Sequence, residues 1–202
     1  MRIKYRFSKK EIKDLVISGL VIAFVVAYPD LSPETFLNSL WIVGSAFLLH
    51  ELGHKFVAQK YDCWAEYRAW PLGLLIGVIL VLAFGMKFLA PGAVIISNYF
   101  GRYGYQFIAL SAEEIGLIGL AGPITNIVLG IIFKFLSLLD LPGTVVLGGE
   151  VTSIWVIAAS INFWLALFNL MPIPPLDGSK VAAWDMRVLG LAIAAALLLM
   201  FS

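Results

Sequence analysis

The chain has 202 residues, 61% of them hydrophobic and only 13% charged, with a mean hydropathy of +0.94. A composition this apolar belongs to a chain that crosses a membrane several times. With a net charge of +1, nucleic acid is not an expected partner, and the single cysteine, Cys63, excludes an intrachain disulfide.

Taken in order, residues 1–14 carry Arg2, Lys4, Arg6, Lys9, Lys10 and Lys13. A basic cluster beside the first apolar run places the N-terminus in the cytoplasm. Ser8 and Glu11 have the spacing of a capping box, so a helix is expected to start there. The first span is read as Leu15 to Tyr28, short of a bilayer core. Ser32-Pro33-Glu34 reads as an N-cap, a first-turn proline and a first-turn acid. It opens a second span that runs to Lys60.

This second span contains His50-Glu51-Leu52-Gly53-His54, and these are the only histidines in the chain. Residues four apart share a helix face, so the two imidazoles can hold one zinc ion while Glu51 sits beside an open position as general base. An ionisable group at membrane depth costs roughly 2.5 to 3.5 kcal/mol, and a bound metal offsets that cost. His50 lies ten residues before Lys60, about 15 Å in from the cytoplasmic end of a helix.

Beyond it, 65–70 and 92–97 read as strands, with Trp64, Tyr67 and Trp70 at the membrane interface. Between them lies an apolar run, 72–90, interrupted by Gly73, Gly77 and Gly85. Asn98 to Tyr105 reads as a turn region. Ser111 and Glu114 form a second capping box opening a span over 115–139, which contains Gly122-Pro123 and Asn126. An acidic loop over 140–150, a span over 151–170 and a last apolar run over 188–201 complete the chain. The fold class expected is an all-α polytopic membrane protein. It has about five full transmembrane helices, a re-entrant apolar hairpin and a small membrane-associated β element.

A catalytic zinc takes three protein ligands. With no histidine left, the third is a carboxylate or Cys63. Asp177 differs from the other acids because it follows a long apolar run and the proline-rich Met171-Pro172-Ile173-Pro174-Pro175. It reads equally as the turn residue before Gly178.

His50-Glu51-x-x-His54 followed by Asn169-x-x-Pro172-x-x-x-x-Asp177-Gly178 resembles the site-2 protease family of intramembrane zinc metalloproteases, and Gly122-Pro123 between them resembles that family too. The resemblance implies one Zn2+ per chain held by His50, His54 and Asp177, with Glu51 as catalytic base. It further implies a substrate that is a transmembrane helix of another protein in the same lipid membrane. The chain is then a single integral-membrane metalloprotease domain over 1–202, its core in 31–60 and 111–180. The expected activity is an intramembrane zinc endopeptidase acting through zinc-activated water, with its site toward the cytoplasmic side.

A helical substrate must be locally unwound, and the strands at 65–70 and 92–97 can receive it as an added strand. Asn126 and Asn169 are intramembrane amides that either touch substrate or its oxyanion or bond between helices. Two other classes compete. An inactive relative that only binds membrane proteins has no need of Glu51. A metal transporter needs a polar path, which the spans outside the two motifs do not offer.

The motifs also constrain topology. If 72–90 crosses fully, three crossings separate Lys60 from Asp177, which then lies on the wrong face. The run is therefore expected to enter and return as two short helical halves about 15 Å deep. Lys55, Lys60, Arg68, Lys87, Arg102, Lys180 and Arg187 are then cytoplasmic. Lys134 is the exception, expected to snorkel at an outer helix end.

Overall fold

The computed structural model describes residues 7–88, 90–97, 109–139, 141–147 and 150–202. The basic residues Arg2, Lys4 and Arg6, the turn region 98–105 and Arg102 lie outside the described residues. Helices dominate: α1 (Lys9–Ala27), α2 (Pro33–Lys60), α3 (Pro71–Phe84), α4 (Ala112–Ser137), α5 (Ile154–Asn169), α6 (Asp177–Trp184) and α7 (Met186–Phe201). Two antiparallel pairs accompany them, β1 (Trp64–Ala69) with β2 (Gly92–Ser97) and β3 (Thr144–Leu147) with β4 (Glu150–Ser153).

Local sequence explains most helix starts. Ser32 accepts from the Thr35 N–H with Pro33 in the first turn. Ser111 and Glu114 close a reciprocal capping box, which satisfies two orphan donors. At α1 only half of the expected box forms. Ser8 accepts from the Glu11 N–H, but the Glu11 carboxylate turns inward instead. The helix starts at Lys9, directly after its Ser8 cap as that spacing implies, so its first turns carry charged residues ahead of the apolar run from Leu15.

Among the described residues, α2 and α4 are long and apolar enough to cross a membrane. Their 28 and 26 residues reach about 42 and 39 Å. α5 and α7 have 16 residues each, about 24 Å against a ~30 Å core. α5 is shorter than the expected 151–170 span because Glu150–Ser153 pairs as β4. The segment 140–150, expected to be a loop, contributes β3 and the start of β4.

Helix α4 is the centre of the bundle and packs against α2, α5 and α6, while α1 packs on α2. Ile22, Ile42, Val43, Phe133 and Phe163, drawn from α1, α2, α4 and α5, form one buried apolar cluster. Leu170, Val181, Leu189 and Ala192 form another beneath α6 and α7. Lys134 stands in the last turn of α4. Its Nζ donates to Leu199 O at 2.9 Å and to Ser202 Oγ, where a cation complements the C-terminal end of α7.

The excursion between the strands leaves and returns at one point, closed by the Trp70 N–H donating to Pro91 O at 2.8 Å. β1 and β2 pair with Trp64 opposite Ser97 and Ala69 opposite Gly92. Two helical halves do not form. The outgoing half is α3, ended by Gly85 in the left-handed conformation. The return is non-helical and runs back along α3, where a Cβ on Gly77 would lie 2.7 Å from Phe88 O. Nor does the excursion stop at half depth. Lys87 donates to Val26 O at the end of α1, beside the α1–α2 turn and at the opposite end of α2 from Lys60. Lys87 therefore does not share a face with Lys60, as the charge pattern had implied.

A candidate metal centre

His50 and His54 stand one turn apart on α2, with ring centroids 4.8 Å apart. Asp177 reaches them from the first turn of α6. Its Oδ2 lies 3.3 Å from His50 Nε2 and 2.9 Å from His54 Nε2, and the two Nε2 atoms are 3.1 Å apart. All three residues are buried. Cys63, the alternative third ligand, is buried with Ala58, Ala65 and Ile118 in an apolar cluster and stands outside this group.

The outward nitrogens fix the chemistry of the inward ones. His50 Nδ1 lies 2.5 Å from Asn126 Oδ1, and His54 Nδ1 lies 2.7 Å from Ile118 O. The Asn126 amide is oriented by its own donors, which reach Ala46 O and Asn162 Oδ1 at 2.9 Å each. Its oxygen therefore faces the imidazole. An oxygen acceptor at Nδ1 requires Nδ1–H, so each neutral ring presents a bare lone pair at Nε2. Three lone-pair donors, two imidazoles and a carboxylate, then converge with no proton to share among them. Such a set suits a cation, and its nitrogen and oxygen composition suits zinc.

Gly122 on α4 supplies the room. A Cβ built there would lie 2.6 Å from His50 Nε2 and closer still to His54 Nε2. The Lys180 Nζ donates to the other carboxylate oxygen, Asp177 Oδ1, at 2.8 Å. That leaves Oδ2 for the imidazoles. Glu51 is buried beside the triad, and its Oε2 accepts from the Val94 N–H of β2 at 2.9 Å.

The two amides separate. Asn126 is fully buried and bonds α2 to α4 and α5 through every polar atom of its side chain. Both amide hydrogens and the oxygen are engaged between helices. Asn169 donates to Leu165 O and borders a cavity of about 650 Å³ that includes His50 and Glu51. This cavity is lined by Gly92, Ala93 and Ile95 of β2 on one side and Trp164, Leu165 and Phe168 of α5 on the other.

The sequence offered no sign of Asn162, the Ile118 carbonyl or the Val94 N–H, because each acts across a long sequence separation. Lys180 was findable, since it stands three residues after Asp177 on one helix face.

This is a candidate hydrolytic metal centre set among apolar helices. The comparisons carry the assignment further. Residues 136–188, which include Asn169 and Asp177, match the model of peptidase family M50. The chain is 46% identical to "Putative zinc metalloprotease MJ0611" of Methanocaldococcus jannaschii over 90% of this chain and 87% of that one. It is 31% identical to "Putative zinc metalloprotease YwhC" of Bacillus subtilis, over 67% of this chain and 63% of that one. Among solved structures, a site-2 protease from Methanocaldococcus jannaschii matches 95% of this chain and 85% of its own, with a TM-score of 0.48 and 17% identity. The chain belongs to peptidase family M50, the site-2 protease family of zinc metalloproteases.

Proposed function

We propose that this chain is an intramembrane zinc endopeptidase that hydrolyses a peptide bond within or near a transmembrane segment of another membrane protein. The observation that carries this is the convergence of His50 Nε2, His54 Nε2 and Asp177 Oδ2, with Glu51 beside them, on an apolar cavity between β2 and α5. His50, His54 and Asp177 would hold one zinc ion. Zinc held there supplies Lewis acidity and acidifies water at its open position.

Glu51 takes the proton from the attacking water and passes it to the leaving nitrogen. Asn169, with one amide hydrogen beyond its bond to Leu165 O, donates to the oxygen on which charge develops. Asn126 and the Ile118 carbonyl hold the imidazole tautomers, as outer partners of metal-ligating histidines do. The substrate segment lies unwound against the free edge of β2, as an added strand. The basic residues of the first 14 positions and Lys60 at the end of α2 favour a cytoplasmic N-terminus, with the site toward the cytoplasmic side.

The test is cleavage of a single-span reporter protein co-reconstituted with the full chain in lipid vesicles, with products mapped by mass spectrometry. A cut inside or beside the span, abolished by a chelator and restored by zinc, is expected. A reporter left whole by zinc-loaded protein, or cut equally well in chelator, would defeat the proposal.

A further inference from the structure

The sheet of β1 and β2 has two outer edges, neither paired with a further strand among the described residues, and a carboxylate sits on each. Tyr67 and Val94 are cross-strand partners. The Tyr67 N–H donates outward to Glu11 Oε1 at 3.0 Å, and the Val94 N–H donates outward to Glu51 Oε2 at 2.9 Å. In an antiparallel pair, opposed residues either exchange both hydrogen bonds or turn both away. Tyr67 and Val94 turn theirs away, so the main-chain groups of Gly92, Val94 and Ile96 face the free edge of β2. That edge borders the metal triad, for Gly92, Val94 and Ile96 line one cavity with His50, His54 and Asp177.

The two carboxylates do different work. Glu11 is fully buried, and its Oε2 pairs with Lys55 Nζ at 2.5 Å. Lys55 also stands 4.1 Å above the Phe7 ring. This closes the β1 edge permanently against α1. Glu51 holds the Val94 donor through one oxygen, with no salt-bridge partner within reach among the described residues.

We infer that the Val94 main-chain N–H is the positioning group for Glu51, and that this bond also sets where a substrate strand is cut. The inference rests on the proposed addition of the substrate to β2. A strand laid on this edge finds its donors at Gly92 and Ile96 but not at Val94, where Glu51 is already seated. One substrate carbonyl is therefore left without a ladder partner. It is the one beside both Glu51 and the metal triad, and it is the carbonyl that is attacked. With no ladder donor on it, its oxygen is free to turn toward the metal triad and the Asn169 amide, where the developing charge is stabilised. The base and the substrate are thus aligned by the same strand.

The experiment removes one hydrogen. In the full chain, Val94 is replaced by its α-hydroxy acid, which turns the N–H into an ester oxygen and keeps the side chain. Pairing of β2 with β1 does not use this N–H. Steady-state cleavage of the vesicle reporter and zinc content are both measured. A fall in kcat of roughly 10- to 100-fold is expected, the worth of a hydrogen bond to a charged group. KM should stay within about threefold of the unmodified chain, and one zinc per chain should remain. Val94→Pro, which lacks the same hydrogen, should behave as the ester.

The same ester at Ile96 should raise KM and spare kcat. A Val94 ester with unchanged kcat overturns the inference. So does one that raises KM alone, because the Val94 N–H would then be a ladder donor to substrate. If Glu51→Gln abolishes cleavage while the Val94 ester does not alter it, the proposed function stands and only this inference fails. An Ile96 ester without effect on KM removes strand addition, and with it the cleavage register.

Discussion

Gly122→Ala is expected to weaken the metal site by crowding both imidazoles. The added methyl carbon would lie 2.6 Å from His50 Nε2 and 2.7 Å from His50 Cε1. Ordinary carbon contacts begin near 3.5 Å, so the ring must move by close to 1 Å. It has little freedom to do so, because Nδ1 is tied to Asn126 Oδ1 at 2.5 Å and the other imidazole to Ile118 O at 2.7 Å. The methyl also fills the space on which the Nε2 lone pairs converge. Displacing or reorienting ligands typically costs 10- to 100-fold in metal affinity, and a 1 Å misplacement at a reacting centre costs about 10²-fold in rate.

Glycine to alanine inside a helix is otherwise favourable by up to about 1 kcal/mol. The assay is zinc partition against a graded chelator series, with thermal unfolding of the chelated protein as control. Zinc affinity lower by at least about tenfold is expected, with the chelated protein still folded and destabilised by no more than the ~1–3 kcal/mol typical of overpacking. Zinc affinity within about threefold of wild type would refute the claim that Gly122 makes room for the metal.

Asp177→Ala leaves two imidazoles, so zinc should be lost on dialysis at concentrations where the wild type retains one per chain; full retention would send the search for the third ligand elsewhere. Asn126→Ala removes the acceptor at His50 Nδ1 and strips Asn162 of its donor, and a 10- to 100-fold weaker zinc affinity is expected by chelator competition. An unchanged affinity would mean that His50 is oriented by packing alone. Glu11→Gln removes the carboxylate charge from its buried pair with Lys55, and breaking such a pair costs about 3–5 kcal/mol in comparable cases. The double variant Glu11→Leu with Lys55→Met should regain most of that loss in equilibrium unfolding. A double variant no more stable than the single one would show that the pair's geometry matters beyond its charge.

What was legible in the sequence is what is local. His50 and His54 declare themselves by spacing, Ser32 and the Ser111–Glu114 box by capping chemistry, β1 by its alternating, aromatic-rich run and β2 by the β-branched Val94-Ile95-Ile96. Their pairing followed from a parity argument about Asp177, and the paired register agrees with it. The unread parts depend on partners far along the chain. Glu11 has the right spacing for a capping box, but a buried Lys55 and the Tyr67 N–H compete for its carboxylate and win. Asn126 carries two readings until His50, Ala46 and Asn162 are seen around it.

The return half of the 72–90 run is apolar enough for a helix, yet it lies extended along the glycine face of α3, a choice that packing makes and periodicity does not show. The β3–β4 pair did leave a signal. Thr144-Val145-Val146-Leu147 and Glu150-Val151-Thr152 flank a Gly-Gly pair, which is hairpin chemistry, but the acidic and glycine-rich composition reads first as a loop.

Glu51→Gln tests the central claim most directly, measured as zinc per chain and as peptide-bond hydrolysis in the same vesicle preparation. The amide cannot take a proton from water, while His50, His54 and Asp177 are untouched. The account predicts one zinc per chain, with hydrolysis lower by at least about 10²-fold. Zinc-loaded Glu51→Gln protein turning over reporter at a rate close to wild type would contradict it.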